Sequence, residues 1–483
     1  MEIDKYASRY SEWKELYSWD SCKTNRKEYG KFLCSFLTNA DDSLVVNMNG
    51  SWGTGKTELL RRLYVELAEQ KHSVVYIDAW ESDFSNDALA VVCCELLTQL
   101  DHVSDKRNSK AKKAIVSLKK GINTCLKFTH GVAVATGELT TATASEGASL
   151  ALNSITEVNG GSVSESNMLL VDKVQQNQVE RVQAMKEIKK QISFLAELMH
   201  EVFGLKKQIV VLVDELDRCR PSYAVEMLEV IKHFFETKGC VFLVATDTDA
   251  LQHSISAIYG VNFKSEAYLK RFFDRKVALP DVSILDYLKC QNINFDKYVD
   301  GGIEFSSYHY DLTKHIETFS LLFAQHSMSL RDIDQALQKF FASLNYVVLT
   351  RNQRIIINAV VLMNGIVEDM INSDEFVNRK SIMTGELPRV FSGLDGVINF
   401  HLSLVMKRNT KVIYLGGGGR STLTEPKLVL SIQCHDKFVN ELGFVNNDRF
   451  FIGAMISAEQ EESVKYWLWE DYRKMIELSG HIQ

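Results

Sequence analysis

Proline is scarce, with Pro221, Pro280, Pro388 and Pro426 the only four in 483 residues, which suits long helices and few rigid loops. Cysteine is present but unorganised: nine residues, single apart from Cys93-Cys94, with no CxxC pair and no Cys/His cluster at zinc spacing. A disulfide framework and a structural zinc site are therefore not expected, and core thiols in a reducing cytoplasm are the natural reading of ALAVVCCELL. No histidine pair has HExxH or similar spacing, so no metal is expected beyond one that would arrive with a nucleotide. A run of about 18 uninterrupted apolar residues is missing, which argues against a membrane span. The charged, aromatic start MEIDKYASRYSEWKEL lacks the basic-then-apolar order of a secretory signal. With a net charge of −7 and a pI of about 6.0, no global polycation points to nucleic acid.

What is present is ordinary globular material, 46% hydrophobic with a mean hydropathy of −0.11, enough for a full core and for two to four domains by length. Residues 1–40 carry Trp13, Leu16, Tyr17, Tyr29, Phe32, Leu33 and Phe36 at helical spacing. SLVVNMNG (43–50) reads as a strand, TELLRRLYVELAEQ (57–70) as a helix, SVVYIDAW (73–80) as a strand and DALAVVCCELLTQL (87–100) as a helix. That rhythm predicts an α/β fold with a parallel sheet and helical crossovers. The sheet resumes at QIVVLVDELD (208–217) and CVFLVATDTD (240–249), both continuous apolar runs as strands buried on two faces require. Between the halves lie a Lys-rich stretch, an Ala/Thr/Gly/Ser-rich segment and a long helix over roughly 166–204, whose Val182, Met185, Ile188, Ile192, Leu195 and Met199 form one apolar stripe. Residues 281–345 read as all-helical. Beyond about 395 short strands and helices mix around GGGGR (416–420), which has no helix-opening Lys-Ser/Thr and reads as a flexible turn. The expected organisation is an N-terminal helix and first half of the core at 1–102, a helical insertion at 103–205, the second half of the core at 206–280, a helical lid at 281–395 and a small α/β module at 396–483.

Three strand ends carry the chemistry. Gly50-Ser51-Trp52-Gly53-Thr54-Gly55-Lys56-Thr57 fits GxxxxGK[ST] and lies where such a loop must, after a strand and before a helix. Its glycines let backbone N–H groups turn inward around phosphate oxygens, Lys56 would reach the β- and γ-phosphates of ATP, and the Thr57 hydroxyl would ligate Mg²⁺. Glu58, the next residue, completes the expected binding segment, and Trp52 is expected to pack rather than react. At the second strand end Asp214 follows four apolar residues, placed to reach Mg²⁺ through its water shell, and Glu215 is positioned to orient or deprotonate the attacking water. At the third, Asp247, or alternatively Thr246, would sense the γ-phosphate; Asp247 would equally serve as a helix cap.

In this order, GSWGTGKT, YIDAW, VDELDRCRP, VFLVATD and YLKRFFDRKVALP resemble the KAP family of P-loop NTPases over about residues 20–340. The resemblance implies an AAA-like sheet of the additional-strand type, with a third strand between the P-loop strand and the acidic strand. It also makes Arg218 part of the acidic motif, places Arg331 in SMSLRDIDQAL as a sensor-like arginine of the lid, and associates Trp19, Asp20 and Arg26 with the segment where adenine would lie. Arg271 and Arg275, read as four apart on one helix, are candidates for an arginine finger acting across a subunit boundary, or a surface basic pair beside Asp274. The family's second aspartate is Glu215 here and its NAW is Asp78-Ala79-Trp80. Many members insert transmembrane helices between the two nucleotide motifs; this interval, with Glu138 and Glu146, is polar and short, though a membrane-associated hairpin around 128–155 is the alternative.

The expected activity is ATP hydrolysis driving a conformational or assembly change in a cytoplasmic protein, with self-association and partners encoded nearby. The resemblance adds a bacterial anti-phage role, since KAP relatives restrict phage or plasmid growth. The alternatives are an ATP-binding switch that barely hydrolyses, and a nucleic-acid-stimulated ATPase using the basic run 105–121 with Lys112, Lys113, Lys119 and Lys120. A solvated helix face explains that run as well.

Overall fold

Four apolar runs and a short polar edge strand make one parallel sheet: β1 (Leu44–Asn49), β2 (Ser73–Asp78), β3 (Ile209–Asp214), β4 (Cys240–Thr246) and the edge strand β5 (Arg275–Ala278), in the order β2-β3-β4-β1-β5. The computed structural model describes residues 10–39, 43–85, 87–103, 185–201, 204–234, 237–305, 312–383, 393–415, 419–430 and 464–482, with isolated positions 113, 116, 120 and 183. β4 lies between the P-loop strand β1 and the acidic strand β3, which is the additional-strand arrangement expected. Every residue of β3 and β4 is buried. Their alternate side chains enter two cores, Val211, Val213, Phe242 and Val244 on one face and Val210, Leu212, Val241 and Leu243 on the other. Because both faces are apolar, periodicity alone does not fix the register. The polar strand ends do, since Asp78 pairs with Asp214 and Asn49 with Thr246, gathering the polar groups at one carboxyl edge.

Helices Lys27–Thr38 and Lys56–Glu69 supply the core on one face of the sheet. Helices Ala88–Val103 and Pro221–Phe234 and the helix at 185–201 supply the other. Ile188, Ile192, Leu195 and Met199 are buried as their spacing predicts. The start of that helix, the Ala/Thr/Gly-rich segment and nearly all of the basic run, Lys112 and Lys119 included, lie outside the described residues, as do Glu138 and Glu146. Among the described residues no helix is long and apolar enough to cross a membrane.

The chain divides into two compact units, Met1–Asp281 and Val282–Gln483. In the second, β6 (Ile303–Phe305) and β7 (Arg354–Ile357) join β10 (Val464–Tyr466) in a parallel sheet ordered β10-β7-β6, and β8 (Lys407–Leu415) pairs antiparallel with β9 (Gly419–Leu430). The stretch expected to be wholly helical therefore contains a strand. Three residues are too few to show alternation, and pairing with the distant β7 is what makes Ile303–Phe305 a strand. Helix Ala359–Met370 is buried along nearly its whole length and packs on Trp469–Gly480. Gly365 permits the close approach, because a Cβ there would run into Ile476 Cδ1.

Candidate functional site

At the carboxyl end of β1 the chain enters Gly50–Thr57 and continues as the helix Lys56–Glu69. Gly53 and Gly55 have φ of 80° and 86°, a left-handed backbone that glycine adopts without strain and that turns successive N–H groups toward one point. The helix N-terminus adds its unpaired N–H groups and partial positive charge on the same side. Gly50 N–H donates to Thr246 O at 3.3 Å, anchoring the loop to the adjacent strand end. Lys56 is buried, 8% exposed. Its ammonium donates to Gly50 O at 2.8 Å and Ser51 O at 3.2 Å and stands 3.8 Å from Asp217 Oδ2.

The acidic strand end lies against this loop. Thr57 Oγ1 donates to Glu215 Oε1 at 3.0 Å, a geometry that leaves the hydroxyl's lone pairs for a cation. Asp214 is 1% exposed and accepts from Tyr76 O–H at 2.7 Å and from Glu215 N–H at 3.0 Å. Burial pushes its carboxyl up to about 6, helped by the Glu215 charge, while the Tyr76 and Thr57 hydroxyls pull the other way. Glu215 has φ 59° and ψ 23°, a left-handed conformation rare for a long side chain. The strand thus stops at Asp214, and the 3-10 turn Leu216–Arg218 follows directly.

A hydroxyl and a buried carboxylate, with no imidazole or thiolate beside them, are oxygen donors of the kind a hard divalent cation takes. Among the described residues no group of three or more His, Cys, Asp or Glu could hold a metal by itself, so phosphate and water oxygens would have to complete the shell. The residues present fit Mg²⁺ carried by a nucleotide.

The other expected residues fall in different places. Thr246 is fully buried at the end of β4, in register with Asn49 and beside the loop. Asp247 caps helix Thr248–Tyr259, its Oδ1 accepting from Asp249 N at 3.1 Å and Ala250 N at 3.2 Å. Glu58 lies in the first turn of the P-loop helix, and its Oε1 accepts from Arg62 Nε at 2.6 Å. Arg26 is buried and ties the loop in place, donating to Thr54 O at 2.7 Å and Pro280 O at 2.5 Å. Trp19 donates to Glu66 at 2.5 Å, and Asp20 is near Lys27 at 3.5 Å. Trp52 is half exposed rather than packed away.

Arg271 and Arg275 do not share a helix. Helix Ser265–Leu269 ends before either; Arg271 is in the turn and Arg275 opens β5. The reason is that Phe272 is buried and Asp274 pairs both its N–H and its carboxylate with Val45, which draws the chain into the sheet. Arg331 is exposed in the first turn of helix Leu330–Thr350 in the second unit, next to the Ser329–Asp332 capping box.

Two participants were not visible in the sequence reading. Tyr76 comes from the middle of an apolar strand, and only the pairing of β2 with β3 brings its hydroxyl to Asp214. Asp217, three residues beyond Asp214, has a side chain 7% exposed that faces the P-loop lysine. A third acid in DELD, within one turn of the strand end, is the available signal.

Comparison with known proteins gives a family. The KAP family P-loop domain matches residues 26–359. No curated protein matches the chain. Among solved structures, the Walker-type ATPase paby2304 of Pyrococcus abyssi is similar at 11% identity and TM-score 0.29, over 69% of this chain and 77% of that one. PCH-2 of C. elegans is similar at 11% identity and TM-score 0.26, over 72% and 69%. With more than half of its length matched, and with the GSWGTGKT loop, the additional strand and the VDELDRC turn converging on one edge of the sheet, the chain belongs to the KAP family of P-loop NTPases.

Proposed function

We propose that this protein binds Mg-ATP on the Gly50–Thr57 loop and hydrolyses it with Glu215 as general base. The observation that supports this reading is the 3.0 Å hydrogen bond between Thr57 and Glu215 beside buried Asp214, because the reading needs a hydroxyl and a carboxylate for the cation and a base close to both. The loop N–H groups and Lys56 would hold the phosphates, exchanging the ammonium's contacts to Gly50 O and Ser51 O for stronger charge-assisted ones. Thr57 and Asp214 would hold Mg²⁺, which supplies charge neutralisation of the phosphate oxygens. Glu215 would orient the attacking water and accept its proton. Asp247, whose Oδ1 serves the helix cap, would sense the γ-phosphate, with Thr246, whose buried hydroxyl donates to Asp247 O at 3.3 Å, as the alternative.

The energy is read as driving a conformational or assembly change, with partners encoded nearby and, by family resemblance alone, a bacterial anti-phage context. Arg271 as a finger and Arg331 as a lid sensor belong to the same proposal, with self-association as its requirement. The test is steady-state phosphate release by the purified full chain against Lys56→Ala and Glu215→Gln. Wild-type turnover at least ~100-fold above both is expected for loss of phosphate-binding or base function. Turnover equal to the variants would remove the enzymatic reading, and nucleotide retained without turnover would favour the ATP-binding switch.

A further inference from the structure

Glu215 has both carboxylate oxygens engaged. Oε1 accepts from Thr57, and Oε2 is ion-paired with Arg218 Nε across the 3-10 turn. The same guanidinium lies near two indoles, 5.9 Å from the Trp52 ring centroid and 5.6 Å from that of Trp80. Each ring is near enough for a cation–π attraction. Trp52 is a P-loop residue and Trp80 follows the end of β2, so one arginine side chain joins the phosphate loop, the neighbouring strand end and the candidate base.

The nearby Arg220 shows what a purely structural tie looks like. It pairs with Asp83 at 3.1 Å and donates to the Asp83 and Ser85 carbonyls, pinning one loop to another. Among the described residues no carbonyl and no second carboxylate holds the Arg218 guanidinium, whose side chain is 29% exposed. Its partners are therefore the Glu215 carboxylate and two half-exposed rings. A base must offer an oxygen to water, and the guanidinium competes for one of the two that Glu215 has.

We propose that Arg218, in contact with Trp52 and Trp80, is a positioning residue that restrains Glu215, so that its withdrawal sets how readily the base acts. The proposal rests on reading Glu215 as the base of ATP hydrolysis. Because one of the two ring contacts is to a P-loop residue, the restraint is sensitive to what the loop holds.

The experiment uses the full-length chain and two readouts, phosphate release at saturating Mg-ATP and binding of a fluorescent ATP analogue. Arg218→Gln is expected to raise kcat by about threefold to tenfold, the effect of removing one modest ground-state contact, with analogue affinity little changed. Trp80→Leu, at an exposed ring that costs little to replace, should move kcat in the same direction by less, and Arg218→Lys, which keeps the charge but loses the planar guanidinium, should fall between Arg218→Gln and wild type. A residue that merely supports the fold would lower kcat or affinity and would never raise kcat. If Arg218→Gln and Trp80→Leu bind the analogue but turn over no faster than wild type, the restraint is refuted. If wild type itself fails to bind the analogue, the nucleotide reading falls, and the restraint with it.

Discussion

Lowering the pH from 7 to 5 is expected to cost the second unit about 2 kcal/mol at His401 alone. His401, on helix Gly393–Leu404, is 1% exposed. Asn358 Oδ1 accepts from Val360 N and Val361 N, so its amide N–H₂ is the side that meets His401 Nδ1, at 2.9 Å. That nitrogen must accept, and an added proton would set donor against donor. Burial, with His315 close by, lowers the imidazole from its ordinary 6.5 to about 3. The unfolded chain therefore takes the proton first. The stabilisation is present above pH 6.5 and is lost as the pH falls toward 3, at about 1.4 kcal/mol per unit once below 6.5. Urea unfolding followed by the fluorescence of Trp467 and Trp469, which share the same core, checks it at pH 7 and 5. His401→Gln should start less stable but lose about 2 kcal/mol less than wild type over that interval, since it has no proton to gain. Equal losses in the two proteins, within about 0.5 kcal/mol, would refute the reasoning.

Gly55→Ala places a Cβ 3.3 Å from Arg26 Nη1 at a φ of 86°; the backbone strain of about 1–2 kcal/mol should weaken nucleotide binding roughly tenfold, read by titration with a fluorescent analogue. Gly365→Ala should separate the Ala359–Met370 and Trp469–Gly480 helices and lower stability by about 1–3 kcal/mol in thermal unfolding. Arg379→Met removes the guanidinium that pairs with buried Glu368 at 2.5 Å and 2.7 Å; a loss of about 3–5 kcal/mol is expected, and Glu368→Gln in the same chain should recover part of it.

The legible parts were those fixed by local pattern. Continuous apolar runs ending in Asn49, Asp78, Asp214 and Thr246 gave four of the five strands of the sheet, and glycines at required spacing gave the loop; the edge strand Arg275–Ala278 reads as helix. The less legible parts depend on pairing across long separations. Tyr76 looks like a core aromatic until β2 aligns with β3, and Ile303–Phe305 looks helical until β7 pairs with it. The supposed helical spacing of Arg271 and Arg275 failed because Asp274 bonds to Val45, more than two hundred residues earlier in the chain.

The left-handed backbone at Glu215 has a consequence for which acids this position accepts. Aspartate and asparagine enter that region of φ/ψ space several-fold more readily than most residues, and the family pattern has aspartate here. Glutamate preserves the charge but sits less comfortably in the main chain, in exchange for one more methylene of reach toward Thr57. An exchange that looks neutral on a charge scale therefore moves along two other axes, torsional preference and side-chain length, in opposite senses. Glu215→Asp would relax the turn while drawing the carboxylate back from the hydroxyl, so a gain in stability and a loss of turnover could arise from the same missing carbon.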